Sequence, residues 1–431
     1  MKLSQPENWN SLPGPEDILR RELPNGIVVL ARPNYDSPSV VIRGYVSGGS
    51  LFDPDDRLGL ADFVSSMLMR GTARRSFQQI YDELESVGAS LGFGASMHNT
   101  NFSGRALAED LPLLLQSLSE CLRQPIFPAE QVEKLRTQLL AGLAIRDQDT
   151  GDMASLTFEQ LVFNGHPYGR PEDGYSETIR AVTREDLVSF HRRQYGPQGM
   201  VVVVVGGVAP EKAADLVADI LGDWGNPDKP AAPELPLLRG LEQTIRKHHE
   251  IPGKSQTDLV LGTLGPQRSS PDYRALSLGN NVLGQFGMMG RIGDVVREQA
   301  GLAYYASTSL NAGIFTGTLE VSAGVNPANV QRAIDLILAE LKRFVSEPVL
   351  PEELQDSQAN FIGRLPLSLE SNSGMAAAIL KLERYGLGLD YYRHYAARVA
   401  AVTPEQVLET AQRYLHPDRL VIVSAGSIQA E

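Results

Sequence analysis

Cysteine is almost absent: Cys121 is the single one in 431 residues, so no disulfide can form within the chain. It lies among Leu113, Leu114, Leu115 and Leu122, which marks it as a buried, unreactive thiol rather than a nucleophile. No stretch reaches the roughly 18 consecutive apolar residues that a membrane-spanning helix needs. The first eight residues, Met1 to Asn8, hold neither an apolar signal core nor an Arg-rich presequence. A cytoplasmic location with no membrane partner is therefore expected. Positive charge is also short: 39 Lys and Arg stand against 52 Asp and Glu, a net charge of −13. That balance draws the chain to neither nucleic acid nor anionic lipid.

What is present is the composition of a folded protein, 42% apolar with 40 Gly and 27 Pro, and a length that exceeds one ordinary core. A long-period repeat organises it. Thr183 opens a helix that ends before Pro197, followed by the strand Val201 to Val205 and Gly206; Thr403, Pro417, Val421 to Val423 and Gly426 repeat that order. Thr at each start is a helix cap with acid in the first turn. Gln124-Pro125-Ile126-Phe127-Pro128-Ala129-Glu130 likewise matches Glu347-Pro348-Val349-Leu350-Pro351-Glu352-Glu353. Between the copies, Pro227, Pro230, Pro233 and Pro236 make a semi-stiff connector. The expected division is 1–225, a linker at 226–236, and 237–431. Asn25-Gly26 reads as a hairpin turn, and Ser76 with Gln79 as a capping box. The fold class is α+β: two homologous domains, each an antiparallel-rich sheet with helices packed on one face.

The segment Gly59-Leu60-Ala61-Asp62-Phe63-Val64-Ser65-Ser66-Met67-Leu68-Met69-Arg70-Gly71-Thr72 has an apolar stripe that alone describes an ordinary core helix. It also resembles the inverted zinc-binding helix of the pitrilysin (insulinase) peptidases, in which Gly-Leu-Ala precedes H-x-x-E-H and Met-Leu and Gly-Thr follow. Asp62 stands at the first His position, Ser65 at the Glu and Ser66 at the second His. The resemblance places a third ligand, a Glu, about 75 residues on, where the helix from Leu135 to Arg146 has no acid. A lone Asp with two neutral hydroxyls is a poor zinc donor set, and the base that would activate water is gone. No metal and no other cofactor is expected in this chain. Gly165-His166-Pro167-Tyr168-Gly169-Arg170-Pro171 is similar to the family's H-P-x-G-R-P loop, with His166 a structural residue rather than a ligand.

In the second half, Arg297-Glu298-Gln299-Ala300-Gly301-Leu302-Ala303-Tyr304 is similar to the family's R-E-x-x-G-L-A-Y string. The resemblance implies that Arg297 holds substrate backbone and that Tyr304 steadies the tetrahedral oxyanion. Read without it, Arg297 pairs equally well with Asp294, and Tyr304 could be a core residue with Tyr305 facing out. The stretch around Gly92, Phe93 and Gly94 is a candidate sheet edge for adding a peptide strand. His248 and His249 alternate across a strand and suit a solvated edge. The glycines from Gly284 to Gly293 lack the G-K-[ST] of a phosphate loop.

The resemblance implies a heterodimeric zinc peptidase in which this chain is the zinc-less, substrate-gripping subunit. Its partners would be a homologue with intact H-x-x-E-H, which brings the zinc, and a peptide or unfolded segment. The rival readings are an inactive scaffold, or a peptide-binding homodimer, of the same fold.

Overall fold

The computed structural model describes residues 12–427 except 232 and 288; the first residues, read above for targeting signals, lie outside the described ones. The strands are β1 (Leu19–Glu22), β2 (Val28–Pro33), β3 (Ser39–Ser47), β4 (Ser90–Ala95), β5 (Asn99–Leu107) and β6 (Val201–Gly206), then β7 (Ile245–Glu250), β8 (Thr257–Gly265), β9 (Ala303–Asn311), β10 (Gly317–Val325) and β11 (Val421–Gly426). The first six form one sheet in the order β1-β2-β6-β3-β5-β4, the last five another in the order β7-β11-β8-β10-β9. Both contain one parallel pair, β2 with β6 and β7 with β11, beside antiparallel neighbours. Leaving out β1, the two orders are the same, so the duplicated landmarks in sequence correspond to a duplicated sheet.

Local signals act where the sequence places them. Gly26 takes φ +87° in the turn that joins β1 to β2. Ser76 and Gln79 form their reciprocal capping box, as do Thr183 with Asp186 and Thr403 with Gln406. Gly206 and Gly426, each closing its strand, share φ +151°, a conformation that L side chains rarely adopt.

Each sheet packs its own half's helices on one face. The first core gathers Val202 and Val204 of β6 with Leu60, Phe63, Leu114 and Leu118; the second gathers Ile422 of β11 with Leu276, Ile337 and Leu341. The opposite face of each sheet is covered by a helix from the other half. Val201, Val203 and Val205 pack with Met375 and Ile379 of the helix Asn372–Arg384. Val421, Val423 and Ala425 pack with Met153, Phe158 and Val162 of the helix Thr150–Val162. Alternation along β6 and β11 thus buries every residue of both strands but Ser424. Cys121 lies in the first core, its thiol pushed by burial up to about 12, which leaves it unreactive.

This reciprocal exchange couples the halves. Phe158→Ala removes a ring that is 0% exposed and should cost about 3–5 kcal/mol. Urea unfolding, followed by circular dichroism and by hydrogen exchange in both sheets, should remain a single transition in wild type and variant. Separate transitions for β1–β6 and β7–β11 would contradict the coupling.

Candidate functional site

The helix Leu60–Met67 starts from Gly59 at φ +88°. Its first amides are capped by the buried Asp53 carboxylate, which accepts from Gly59 N and Ala61 N at 2.9 Å each. Arg170, in the loop that contains His166, donates to the Asp53 carbonyl at 3.2 Å. His166 Nδ1 accepts from the Tyr168 amide, and its ring stacks on Phe315 at 5.2 Å, the structural role expected of it. On the helix, Ser65 is buried while Asp62 and Ser66 are half-buried. The Ser65 hydroxyl donates to Asp62 O at 2.9 Å and accepts from Ala95 N at 3.0 Å. Ser65 thereby bolts this helix to β4.

β4 is the edge strand of its sheet. Ser96 N bonds to Asn99 O at the hairpin, so the even-numbered residues of β4 turn their main-chain groups to β5 and the odd-numbered ones point outward. The outward amide of Ala95 is taken by Ser65, which leaves Leu91 and Phe93 as the open part of the edge. Gly92 and Gly94 lie on the sheet face opposite the first core, with nothing within 4 Å of where a side chain would begin. They floor a groove of about 490 Å³ whose far wall is the helix Asn372–Arg384 from the other half.

Arg297 lies in a π-helical segment, Asp294–Gln299, an irregularity often found at functional sites. The segment is held from behind by Arg291, which donates to Glu353 Oε1 at 2.8 Å. Gly301, at φ +64°, ends it, its amide bonding to Arg297 O. The next strand, β9, begins with a bulge: Ala303 pairs with Val325 and Tyr305 with Gly324, which leaves Tyr304 without a partner. Tyr304 is consequently 77% exposed. Tyr305 turns inward and donates to the buried Asp258 at 2.6 Å. The alternative in which Tyr304 is core and Tyr305 outward is therefore not adopted. Asp294 accepts from Gln299, and among the described residues the ion pair of Arg297 is with its neighbour Glu298, at 3.5 Å. Among the described residues no hydrogen bond or ion pair joins Arg297 or Tyr304 to the helix Leu60–Met67 or to β4. The two groups of candidates lie in separate halves of the chain.

Residues 28–171 match the family model "Insulinase (Peptidase family M16)", and residues 181–361 match "Peptidase M16 inactive domain". The chain belongs to the M16 peptidase family. An uncharacterized zinc protease of Mycobacterium leprae is 29% identical over 409 residues, 93% of this chain and 89% of that one. Subunit 1 of the bovine mitochondrial cytochrome b-c1 complex is 26% identical over 266 residues, 62% of this chain and 55% of that one. The crystal structure of a peptidase M16 inactive domain from Pseudomonas fluorescens superposes with a TM-score of 0.89 at 26% identity, covering 96% of this chain and 99% of that one.

Against the zinc chemistry of M16 peptidases, the donors here do not fit. Ser65 has both its bonds committed within the protein, and among the described residues no group of three or more His, Cys, Asp or Glu could hold a metal ion. Nor is any described helix long and apolar enough to cross a membrane. His248 and His249 lie on β7, the other edge of the second sheet, with His248 Nδ1 on Ser424 Oγ.

Around the helix Leu60–Met67 the M16 chain gathers carboxylates. Burial, reinforced by Asp173, pushes Asp62 up to about 6. Burial, then Glu320, Glu172 and Asp173, pushes Glu159 up to about 7; its surface is nonetheless largely wet, so water screens much of that effect. A carboxyl with a raised folded-state pKa binds more protons in the native than in the unfolded chain, so its contribution to stability falls as pH rises from about 4 to 6. Asp62→Asn removes the penalty. The variant should be more stable than wild type by about 1–2 kcal/mol at pH 7.5, with the gain nearly gone at about pH 3.5, below the unfolded value. Thermal unfolding at the two pH values checks this, and a pH-independent difference would refute it.

Proposed function

We propose that this chain is the zinc-less subunit of a two-subunit M16 peptidase, gripping peptides or unfolded segments and lending Tyr304 and Arg297 to a homologue that carries H-x-x-E-H. The observation that carries the reading is Tyr304 itself. A tyrosine held 77% exposed by a bulge, while its neighbour Tyr305 is tied inward, has no packing role in this chain. An exposed phenol on a rigid strand is a preorganised donor for charge developing on a substrate carbonyl. Arg297, one third exposed and paired among the described residues with Glu298 at 3.5 Å, can hold a substrate carbonyl beside it. An extended peptide would pair with Leu91 and Phe93 of β4. The partner would supply metal and base, for which this chain's donors are unsuited. In this reading residues 1–225 and 237–431 are the two peptidase-like domains, 226–236 joins them, and the complex works in the cytoplasm. The kinship with a cytochrome b-c1 subunit favours the scaffold alternative, in which Tyr304 touches no substrate.

Mixing the chain with an H-x-x-E-H homologue, confirming assembly by size, and measuring kcat and KM separates the two. The isolated chain should retain no stoichiometric zinc after stripping and reloading. Tyr304→Phe complexes should assemble and lose roughly 10²–10³ in kcat. Arg297→Ala should raise KM as well. Tyr304→Phe complexes that assemble and cut at the wild-type rate would refute the reading in favour of the scaffold.

A further inference from the structure

The groove beside β4 carries a charge opposite in sign to the chain's net charge. The chain has 13 more acidic than basic side chains, yet the groove is lined by Arg43, Lys381 and Arg384 and by no Asp or Glu. The nearest acid in sequence, Glu383, is engaged elsewhere by both its oxygens, accepting from Arg20 at 2.7 and 3.0 Å. Among the described residues, Arg43 and Arg384 bond to neutral partners, and neither they nor Lys381 form an ion pair. Arg43 donates to Ser373 Oγ at 2.8 Å; Arg384 donates to Asn101 Oδ1 at 2.5 Å and lies 4.6 Å over the Tyr45 ring. The Nε of both arginines is buried without a hydrogen-bond partner. Lys381 is exposed at the wall.

Cations gathered without counter-charge repel one another, and an anion entering the groove relieves that repulsion and gains charge-assisted hydrogen bonds. The floor leaves room for it: Gly92 and Gly94 present no side chain on this face. A strand added to Leu91 and Phe93 would project alternate side chains over that floor, towards Lys381 and Arg384.

We propose that the groove selects polypeptide segments that bring carboxylates onto this glycine floor, with Lys381 and Arg384 as the receiving groups and Arg43 closing the back. This rests on the reading of β4 as the peptide-holding edge and adds the substrate's charge class to it. Two sources share the chemistry: acidic side chains at alternate positions, or a chain-terminal carboxylate.

Isothermal titration of the full-length chain with ten-residue Thr/Val peptides tests the inference. One peptide carries Glu at positions i and i+2, one carries Gln there, one carries Lys, and each is made with free and amidated C-termini. The Glu peptide, or the free-acid form of the Gln peptide, should bind about tenfold more tightly than the amidated Gln peptide. The preference should shrink at high salt, persist in Lys381→Arg and disappear in Lys381→Glu. The first arm identifies side chains as the source and the second the terminus. Equal binding of the amidated Glu, Gln and Lys peptides, with no gain from a free terminus, would overturn the charge selection while leaving β4 as a peptide-holding edge. Binding of none of them would overturn both.

Discussion

Everything in this molecule depends on the burial of two strands, β6 and β11, from both sides. Each is an interior strand of its sheet, and each needs a second apolar cover that its own half does not supply. The solution is reciprocal: the helix Thr150–Val162 covers the second sheet and the helix Asn372–Arg384 the first. Hydrophobic burial on this scale, with about 1.5–3 kcal/mol per fully buried aliphatic side chain, fixes how the halves sit against each other. The functional features inherit that placement. The wall of the β4 groove is the C-terminal end of the helix that completes the first sheet, so stability and the groove's charge come from one element.

The helix Leu60–Met67 does structural work. Ser65 ties it to the edge strand through the Ala95 amide. Asp53 and Arg170 hold the helix's other end. A neutral hydroxyl can do this at a buried site, whereas a carboxylate there would need a cation to offset its desolvation. In the second half the geometry runs the other way. The Asp258–Tyr305 bond and the glycine at Gly324, where a Cβ would fall 2.6 Å from the Tyr305 ring, hold a bulge whose product is an exposed Tyr304. The first half bolts its helix to the edge strand, and the second turns Tyr304 outward.

Much of this was legible in the sequence where the cause is local. The Asn25-Gly26 turn, the caps at Ser76, Thr183 and Thr403, and the glycine closing each repeated strand follow from residues a few positions apart. That Asp62, Ser65 and Ser66 are poor metal donors was legible from their chemistry, but the bond from the Ala95 amide to Ser65 was not, because it depends on where β4 lies. The valine run from Val201 to Val205 signals burial on both faces without saying what covers the second. The outward turn of Tyr304 was hidden because a bulge is a mismatch of register with β10, invisible in either strand alone. Arg43, Lys381 and Arg384 escaped notice for the same reason: strand β3 and a helix from the far end of the chain meet only through the exchange.

The account's central claim, that this chain grips an extended polypeptide on the edge of β4, is tested most directly by amide exchange at single-residue resolution, with and without a saturating Glu-bearing peptide. The account predicts that the Leu91 and Phe93 amides become protected, while Ala95, already bonded to Ser65, changes little. A saturated protein in which Leu91 and Phe93 exchange as fast as in the free chain would contradict it.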